Sequence, residues 1–221
     1  NVSHELRTPL TVFHGYLTIL QQLDNVDASK LTTIVNDMML QSQRMESLVE
    51  DLLLLSRLEA VEPDVSRYHQ IPLAPLLQRV VMEAKEFSEN RHDFHLLLDN
   101  TCYIHGQEDE LHSAFVNLLV NAVRYTPEGK RIQVDCFHEN GRVGVRVSDH
   151  GIGIAAEQIE RITERFYRVD KSRTYRGKGG TGLGLAIVKH VLQRHDAELL
   201  IESVLGQGSQ FTCYFCSHEV V

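Results

Sequence analysis

Apolar residues in the first quarter of the chain recur every three or four positions, which is the pattern of helices with one apolar face. The first seam consists of Leu6, Leu10, Phe13, Leu17 and Leu20. The second consists of Ile34, Met38, Gln41, Met45, Leu48, Leu52 and Leu55. The polar stretch 24–27 separates them, so the pattern predicts two long helices, residues 1–23 and 28–59, joined as an αα-hairpin. Pro9 should bend the first helix, because it removes a backbone hydrogen bond.

A single hairpin of this kind leaves much of its apolar surface in water. Leu52–Leu55 is apolar around more than one helix face. Pairing two hairpins into a four-helix bundle would cover this surface, and we therefore predict a homodimer. The alternative is that the remainder of the same chain covers it.

The periodicity ends at Pro63, and a mixed pattern follows. It predicts helices at Leu73–Ser88, Glu108–Tyr125 and Gly182–Arg194, and strands at His95–Asp99, Ile132–Phe137, Val143–Ser148, Glu198–Val204 and Gln210–Phe215. We expect a helical domain at 1–60, a linker at 61–69 and an α/β sandwich at 70–218, with helices on one face of its sheet.

Composition narrows the possible functions. The net charge of −8 over 221 residues argues against a nucleic-acid-binding protein. Cys213 and Cys216 are three apart on a predicted strand, so they should face opposite sides and stay unpaired. The cysteines and histidines show no zinc-binding spacing. No apolar run reaches the ~18–20 residues of a membrane span, and since the chain lacks a starting Met we take it to be a fragment.

Two glycine clusters indicate contact with phosphate. Asp149–Ile154 follows a predicted strand, and Gly177–Leu185 opens a predicted helix. Glycine lets the backbone approach a phosphate, and free amides at a helix N-terminus favour anions. The spacing is not that of a P-loop, and no βαβ unit surrounds either cluster.

Two amide side chains also indicate a binding function. Asn117 and Asn121 are four residues apart and share one face of an otherwise apolar predicted helix. Their oxygens are of the type that Mg²⁺ prefers. Arg124 and Tyr125, one turn further on, could reach a phosphate.

Five segments now acquire a common interpretation. Ser3–Leu10, Asn117–Tyr125, Asp149–Ile154, Thr163–Asp170 and Gly179–Leu185 resemble, in the family's order, the H, N, first glycine, F and second glycine boxes of sensor histidine kinases. Within that family, the segments 1–12, 163–173 and 182–190 are most similar to the kinases of the phosphate regulon. Thr163 departs from the family pattern, in which an apolar residue is usual.

The resemblance implies an ATP-binding domain of the Bergerat (GHKL) type that uses ATP and Mg²⁺. Asp149 would accept a hydrogen bond from the adenine amino group, and Asn121, with Asn117 beside it, would hold Mg²⁺. Arg124, Tyr125 and Arg168 would lie near the phosphates. The glycine boxes would contribute Gly151, Gly153, Ile154, Gly180, Thr181, Gly182, Leu183 and Gly184. A lid of about 169–180, with Phe166 at its base, would carry the basic residues Lys171, Arg173, Arg176 and Lys178.

The H box would carry the chemistry. An imidazole with a pKa near 6.5 is mostly neutral at pH 7, so His4 would have a lone pair for attack on the γ-phosphate. Glu5 would take the other ring proton, and Thr8, one turn on, would orient a water for dephosphorylation of the partner. The resemblance implies a response regulator receiver domain as that partner, a role in phosphate-starvation signalling, and a cytoplasmic portion of a bacterial inner-membrane protein.

Two other functions stay open from the residues. One is an ATPase clamp or chaperone with the same type of ATP-binding fold, which would hydrolyse ATP without forming a phosphoprotein. The other is a catalytically silent dimeric module that docks a regulator.

Overall fold

The computed structural model describes residues 2–22, 27–169 and 180–216. Its contacts divide the chain into two compact units, residues 1–54 and residues 55–221. Within the described residues, no helix is long and apolar enough to cross a membrane.

The first unit contains the predicted helical hairpin. Helix α1 spans Val2–Gln22, and helix α2 spans Ala28–Ala60 and continues into the second unit. The Tyr16 hydroxyl donates to Asp37 Oδ2 at 2.6 Å and so ties the two helices together. Helix α1 continues through Pro9, and the bend at that residue stays a prediction.

The hairpin exposes much apolar surface within its own unit. Ile34 and Leu48 are buried. The large apolar side chains that remain exposed in this unit are Leu10, Val12, Leu17, Ile19, Leu31, Val35, Met39, Leu40, Val49 and Leu53. They occupy more than one face of the helices, which is unusual for a pair of helices surrounded by water.

The second unit is an α/β sandwich. Its helices are α3 (Leu73–Phe87), α4 (Glu108–Tyr125), α5 (Ala156–Ile159) and α6 (Gly184–Arg194). Its main sheet contains β2 (Asp93–Leu98), β4 (Arg131–Glu139), β5 (Arg142–Asp149), β6 (Glu198–Val204) and β7 (Gly208–Cys216). The strand order is β2-β4-β5-β7-β6, and only the β2–β4 pair is parallel.

The core lies between this sheet and the helices α3, α4 and α6. Alternate residues of the central strands are buried, as in Val134 of β4, which pairs with Val147 of β5, which pairs in turn with Phe211 of β7. Cys213 is buried and Cys216 is exposed, and both thiols are free, so the prediction for this pair is confirmed. The predicted hairpin followed by an α/β sandwich is likewise confirmed.

Several short elements escaped the sequence analysis. The expected linker contains a 3-10 turn at Val65–Arg67 and the start of strand β1 (His69–Pro72). Strand β1 pairs with β3 (Tyr103–Gly106) in a separate two-stranded sheet. With four residues each, β1, β3 and α5 are too short to produce a readable period.

A buried ion pair fixes helix α4 relative to helix α6. Arg194 donates from Nε and Nη2 to the Glu110 carboxylate at 2.9–3.1 Å, and both side chains are about nine-tenths buried. The neighbouring His195 accepts a hydrogen bond from the Gln107 amide at 3.1 Å. These contacts hold the start of α4 against the end of α6, and therefore also set the spacing between the polar residues of α4 and the glycines before α6.

Candidate nucleotide-binding site

A cavity in the second unit lies between the C-terminal half of α4, the end of β5 and the N-terminus of α6. Its apolar wall consists of Ile152, Ile154, Ile162, Leu185 and Phe211. One carboxylate, that of Asp149, enters this wall from the last residue of β5. An apolar slot with a carboxylate in its wall suits a flat heterocycle that carries an amino group.

Asp149 is held in place by backbone donors. Its Oδ1 accepts from the Gly151 amide at 2.8 Å, and the Ser209 amide also donates to it. The side chain is 8% exposed. Burial raises its pKa to about 6, although the hydrogen bonds from Gly151 and Ser209 act in the opposite direction. It is therefore mostly ionised at pH 7 and able to accept a hydrogen bond.

The first glycine box is shaped by close backbone contacts. Gly153 has a φ of +66°, and a Cβ there would lie 2.0 Å from the carbonyl oxygen of Val204. A Cβ on Gly151 would lie 2.4 Å from the carbonyl oxygen of Tyr125. Gly151 thus places the loop against the end of α4, and Gly153 places it against the end of β6.

The second glycine box forms the N-terminus of α6. Gly182 has a φ of +73°, and a Cβ there would collide with the backbone of Phe166. The Phe166 amide donates to the Gly182 carbonyl at 2.8 Å, which joins the F box to this loop. Thr181 Oγ1 accepts from the Leu183 amide at 3.2 Å. The loop therefore presents backbone amides at a helix N-terminus, the arrangement that favours phosphate binding.

Helix α4 supplies the polar side of the cavity through Asn121, Arg124 and Tyr125. Asn117 does not line it. Instead, Asn117 Nδ2 donates to the Ser113 carbonyl at 3.0 Å, and its Oδ1 packs where a Cβ of Gly184 would be. Asn121 is thus the asparagine of this pair that lines the cavity, while Asn117 packs against the start of α6.

Arg168 brings a guanidinium group to the cavity. It lines the cavity, and its Nε is buried with no hydrogen-bond partner among the described residues. A buried donor without a partner is costly. A phosphate oxygen entering the cavity would satisfy it.

The structure brings most of the predicted nucleotide-binding residues together. The cavity is lined by Asn121, Arg124, Tyr125, Asp149, Gly153, Ile154, Arg168, Gly180, Thr181, Gly182 and Gly184. Asn117, Gly151 and Leu183 do not line it and act as packing residues behind the wall. The predicted lid falls largely on residues 170–179, which lie outside the described residues, as do its four basic side chains.

Eight residues that line the cavity were not named as site residues in the sequence analysis, namely Ala122, Ile152, Ile162, Tyr167, Val169, Leu185, Ser209 and Phe211. Ile152 and Leu185 alternate with the glycines of the two boxes, and that alternation is a signal that could have found them. Ser209 and Phe211 reach the cavity only because β7 pairs with β5, where Ser209 lies opposite Asp149.

The three predicted H-box residues all lie on α1 in the first unit. His4 belongs to its first turns, and its side chain lies outside the described part of the structure. Glu5 is half-buried and Thr8 is exposed within the structure. Thr8 lies one turn beyond His4 along the helix, as predicted.

Both units of the chain match known protein families. A family profile described as "Histidine kinase-, DNA gyrase B-, and HSP90-like ATPase" matches residues 106–219, and one described as "His Kinase A (phospho-acceptor) domain" matches residues 1–61. The chain is 45% identical to the phosphate regulon sensor protein PhoR of Pseudomonas aeruginosa, over 100% of this chain and 49% of that protein. The chain thus spans about half the length of such curated relatives.

Solved structures show the same fold. Full-length ShkA in complex with AMPPNP matches with a TM-score of 0.69 and 26% identity, covering 96% of this chain and 44% of that one. ThkA in complex with the response regulator protein TrrA matches with a TM-score of 0.76 and 23% identity, covering 97% and 59% respectively. The second likeness concerns the fold alone.

Proposed function

We propose a function for this chain, which belongs to the sensor histidine kinase family. It transfers the γ-phosphoryl group of ATP to His4 and then to an aspartate of a response regulator. The observation that carries the proposal is the cavity that combines buried Asp149, an apolar slot, Arg168 and the glycine loop before α6. This set of groups suits an adenine at one end and a polyphosphate at the other.

The residues of the cavity would divide the nucleotide between them. Asp149 would accept from the adenine amino group, and the isoleucines of the wall would cover the ring faces. Arg168 and the amides at the N-terminus of α6 would bind phosphate oxygens. Mg²⁺, held by the Asn121 amide oxygen, would neutralise phosphate charge when bound.

His4 would act as the nucleophile. Its neutral ring nitrogen forms a P–N bond to the γ-phosphorus as the P–O bond to ADP breaks, and Glu5 accepts the proton from the other ring nitrogen. The phosphoryl group then passes to a carboxylate oxygen of the regulator and leaves the imidazole free. Phosphoryl transfer depends mainly on positioning and on charge neutralisation, which the cavity would supply.

A histidine substitution tests this function. With ATP and Mg²⁺, His4→Gln should abolish acid-labile, base-stable labelling of the chain, while ATP binding is unchanged. His14→Gln on the same helix is the matched control and should label like the unaltered chain. ATP hydrolysis without any labelled protein would indicate the clamp-type ATPase instead, and failure to bind ATP would indicate a silent docking module.

We also propose that the chain dephosphorylates its regulator and works as a homodimer. Thr8 lies one turn beyond His4, where its hydroxyl could orient the attacking water, and the exposed apolar surface of the hairpin supports pairing. Thr8→Ala should retain autophosphorylation and lose most phosphatase activity toward the phosphorylated regulator. Equal phosphatase rates in both proteins would refute the role of Thr8.

Finally, we propose that the chain is the cytoplasmic portion of a membrane-anchored sensor in phosphate-starvation signalling. The identity with PhoR over the whole chain supports it. In cells whose full-length protein carries His4→Gln, transcription should no longer respond to phosphate limitation. An intact response would contradict this role, whatever the result of the labelling assay.

A further inference from the structure

Three metal-ligating side chains converge at the end of the main sheet where β2 finishes. Asp99 and Cys102 belong to the turn after β2, and His138 belongs to β4. One ligand atom from each, a carboxylate oxygen, a sulfur and a ring nitrogen, all lie within 4.8 Å of one another. Asp99 and His138 are exposed, and Cys102 is buried.

The backbone already holds this turn against β4. The Asp99 amide donates to the Cys136 carbonyl at 3.0 Å, and the Cys102 amide donates to the Asp99 carbonyl at 3.2 Å. The Cys102 carbonyl in turn accepts from the Leu73 amide at 3.0 Å. The scaffold of the cluster is thus fixed by hydrogen bonds, and only the side chains of Asp99 and His138 need to adjust.

Hydrogen bonds from Thr101 orient the carboxylate of Asp99 within the turn. Asp99 accepts from the Thr101 amide at 2.8 Å and from the Thr101 hydroxyl at 2.6 Å. His138 Nε2 lies 3.3 Å from the Thr101 carbonyl oxygen and 3.4 Å from its hydroxyl. A bound cation would compete with these weak contacts of the ring.

We propose that Asp99, Cys102 and His138 form a zinc site with an open fourth position. A thiolate, an imidazole and a carboxylate are the usual zinc ligands, whereas Mg²⁺ prefers oxygen ligands alone. Tetrahedral zinc with bonds of about 2.0–2.3 Å sets its ligand atoms roughly 3.5 Å apart. In the structure the three ligand atoms lie within 4.8 Å of one another. Small rotations of the exposed Asp99 and His138 side chains would shorten these distances to those of a zinc site.

Binding would require the Cys102 thiol to lose its proton. Burial raises the pKa of this thiol, and its neighbour Cys136 shares a hydrogen bond with it. On coordination the S–H bond breaks, the sulfur keeps the electron pair and bonds to zinc, and the proton goes to solvent. No electron is transferred, so the site needs no oxidant.

The site lies away from the nucleotide cavity. His138 is opposite Val143 in the β4–β5 ladder, whereas Asp149 is opposite Ile132. His138 lies six positions beyond Ile132 along β4, a distance of about 20 Å. The two sites are therefore separate, and the proposal stands whether or not the chain is a kinase.

Zinc and cobalt titrations test the proposal. The full chain is stripped of metal, kept reduced with a thiol-free reductant, and titrated without nucleotide, with Zn²⁺ against a chromophoric chelator and with Co²⁺ by absorbance. We expect one equivalent of Zn²⁺, a thiolate-to-cobalt charge-transfer band, and no displacement by excess Mg²⁺. Absence of the band in the unaltered chain would overturn the site.

Matched variants assign the ligands. Cys102→Ala and His138→Gln should each weaken Zn²⁺ binding at least tenfold and remove or shift the cobalt band. Cys216→Ala and His95→Gln, which change an exposed thiol and an exposed imidazole elsewhere, should bind like the unaltered chain. If Cys102→Ala fails to fold, Asp99→Asn and His138→Gln decide the matter, and unchanged affinity in both refutes the proposal.

Discussion

At the scale of single residues, Asp149 shows a conflict between stability and function. Its carboxylate is ionised at pH 7 although it is 8% exposed, and its pKa is raised to about 6 from the usual 3.8. A group whose pKa is higher in the folded protein than in the unfolded chain destabilises the fold once it ionises. The carboxylate that we propose as the acceptor for adenine is therefore present at a cost in folding free energy.

We expect Asp149→Asn to stabilise the protein while preventing ATP binding. The amide oxygen can still accept from Gly151, and the buried charge is gone, so the free energy of unfolding should rise by about 1–3 kcal/mol at pH 7. The gain should be nearly complete above pH 6, should shrink as the pH falls from about 6 towards 3.8, and should vanish well below pH 3.8, where Asp149 is protonated in both the folded and the unfolded state. Denaturant titrations across this pH range measure it, and a loss of stability at pH 7 would contradict the explanation.

Arg168 is the cation that we propose binds the phosphates of the nucleotide. Its Nε is buried with no partner in the described part of the structure. Arg168→Ala should weaken ATP binding by tenfold or more and leave the weaker binding of adenosine nearly unchanged, because only ATP carries phosphates. Arg142→Ala, which removes an arginine of β5 that is paired with Glu198 of β6, is the matched control. Calorimetry with both ligands measures the two affinities. Equal losses of affinity for ATP and adenosine would mean that Arg168 does not bind the phosphates.

At the scale of elements, the glycine boxes act through the backbone contacts they permit. Gly153 combines a positive φ with a collision between a Cβ and the Val204 carbonyl, whereas Gly141 in the β4–β5 turn has a similar φ with nothing within 4 Å. Substitutions at Gly141 and Gly153 therefore distinguish the cost of a positive φ from the cost of a steric collision.

Gly141→Ala should cost about 1 kcal/mol in unfolding free energy and leave ATP affinity unchanged. Gly153→Ala should cost more, since the loop must also move away from β6, and ATP affinity should fall with it. Thermal unfolding and nucleotide binding on both variants measure these effects. If the two variants behaved alike, the contact with Val204 would be unimportant to the site.

The length and periodicity of each element decided how well the sequence predicted it. The helices of the hairpin, α4 and the β4–β5 hairpin were predicted within a few residues, because their periods are long and clear. The short strands β1 and β3 were missed. Ser209 and Phe211 in the cavity, and the meeting of Cys102 with His138, depend on which strands pair across the sheet, and no local pattern carries that information.

At the scale of the whole molecule, the two units differ in how well each covers its apolar residues. The α/β unit buries its core residues almost fully, with Phe115, Leu119 and Ile187 at 0% exposure. The hairpin leaves Leu17 at 47% and Leu53 at 55% exposure within a unit that consists of two helices. Surface of this kind is stabilised by a second copy, which is the physical basis of the proposed homodimer.

A charge placed in this surface should separate the dimer. In a two-fold symmetric bundle Leu17→Glu would occur twice, and each carboxylate would be buried without a partner, at a cost of several kcal/mol that exceeds what the leucines contribute. Leu97→Glu, at a leucine that is 62% exposed on strand β2, is the matched control and should leave the mass unchanged. Sedimentation velocity at micromolar concentration should show the unaltered chain and Leu97→Glu at twice the monomer mass, and Leu17→Glu as a monomer that still binds ATP. A dimeric Leu17→Glu would mean that this face of α1 does not pair, and monomers in all three samples would refute the homodimer itself.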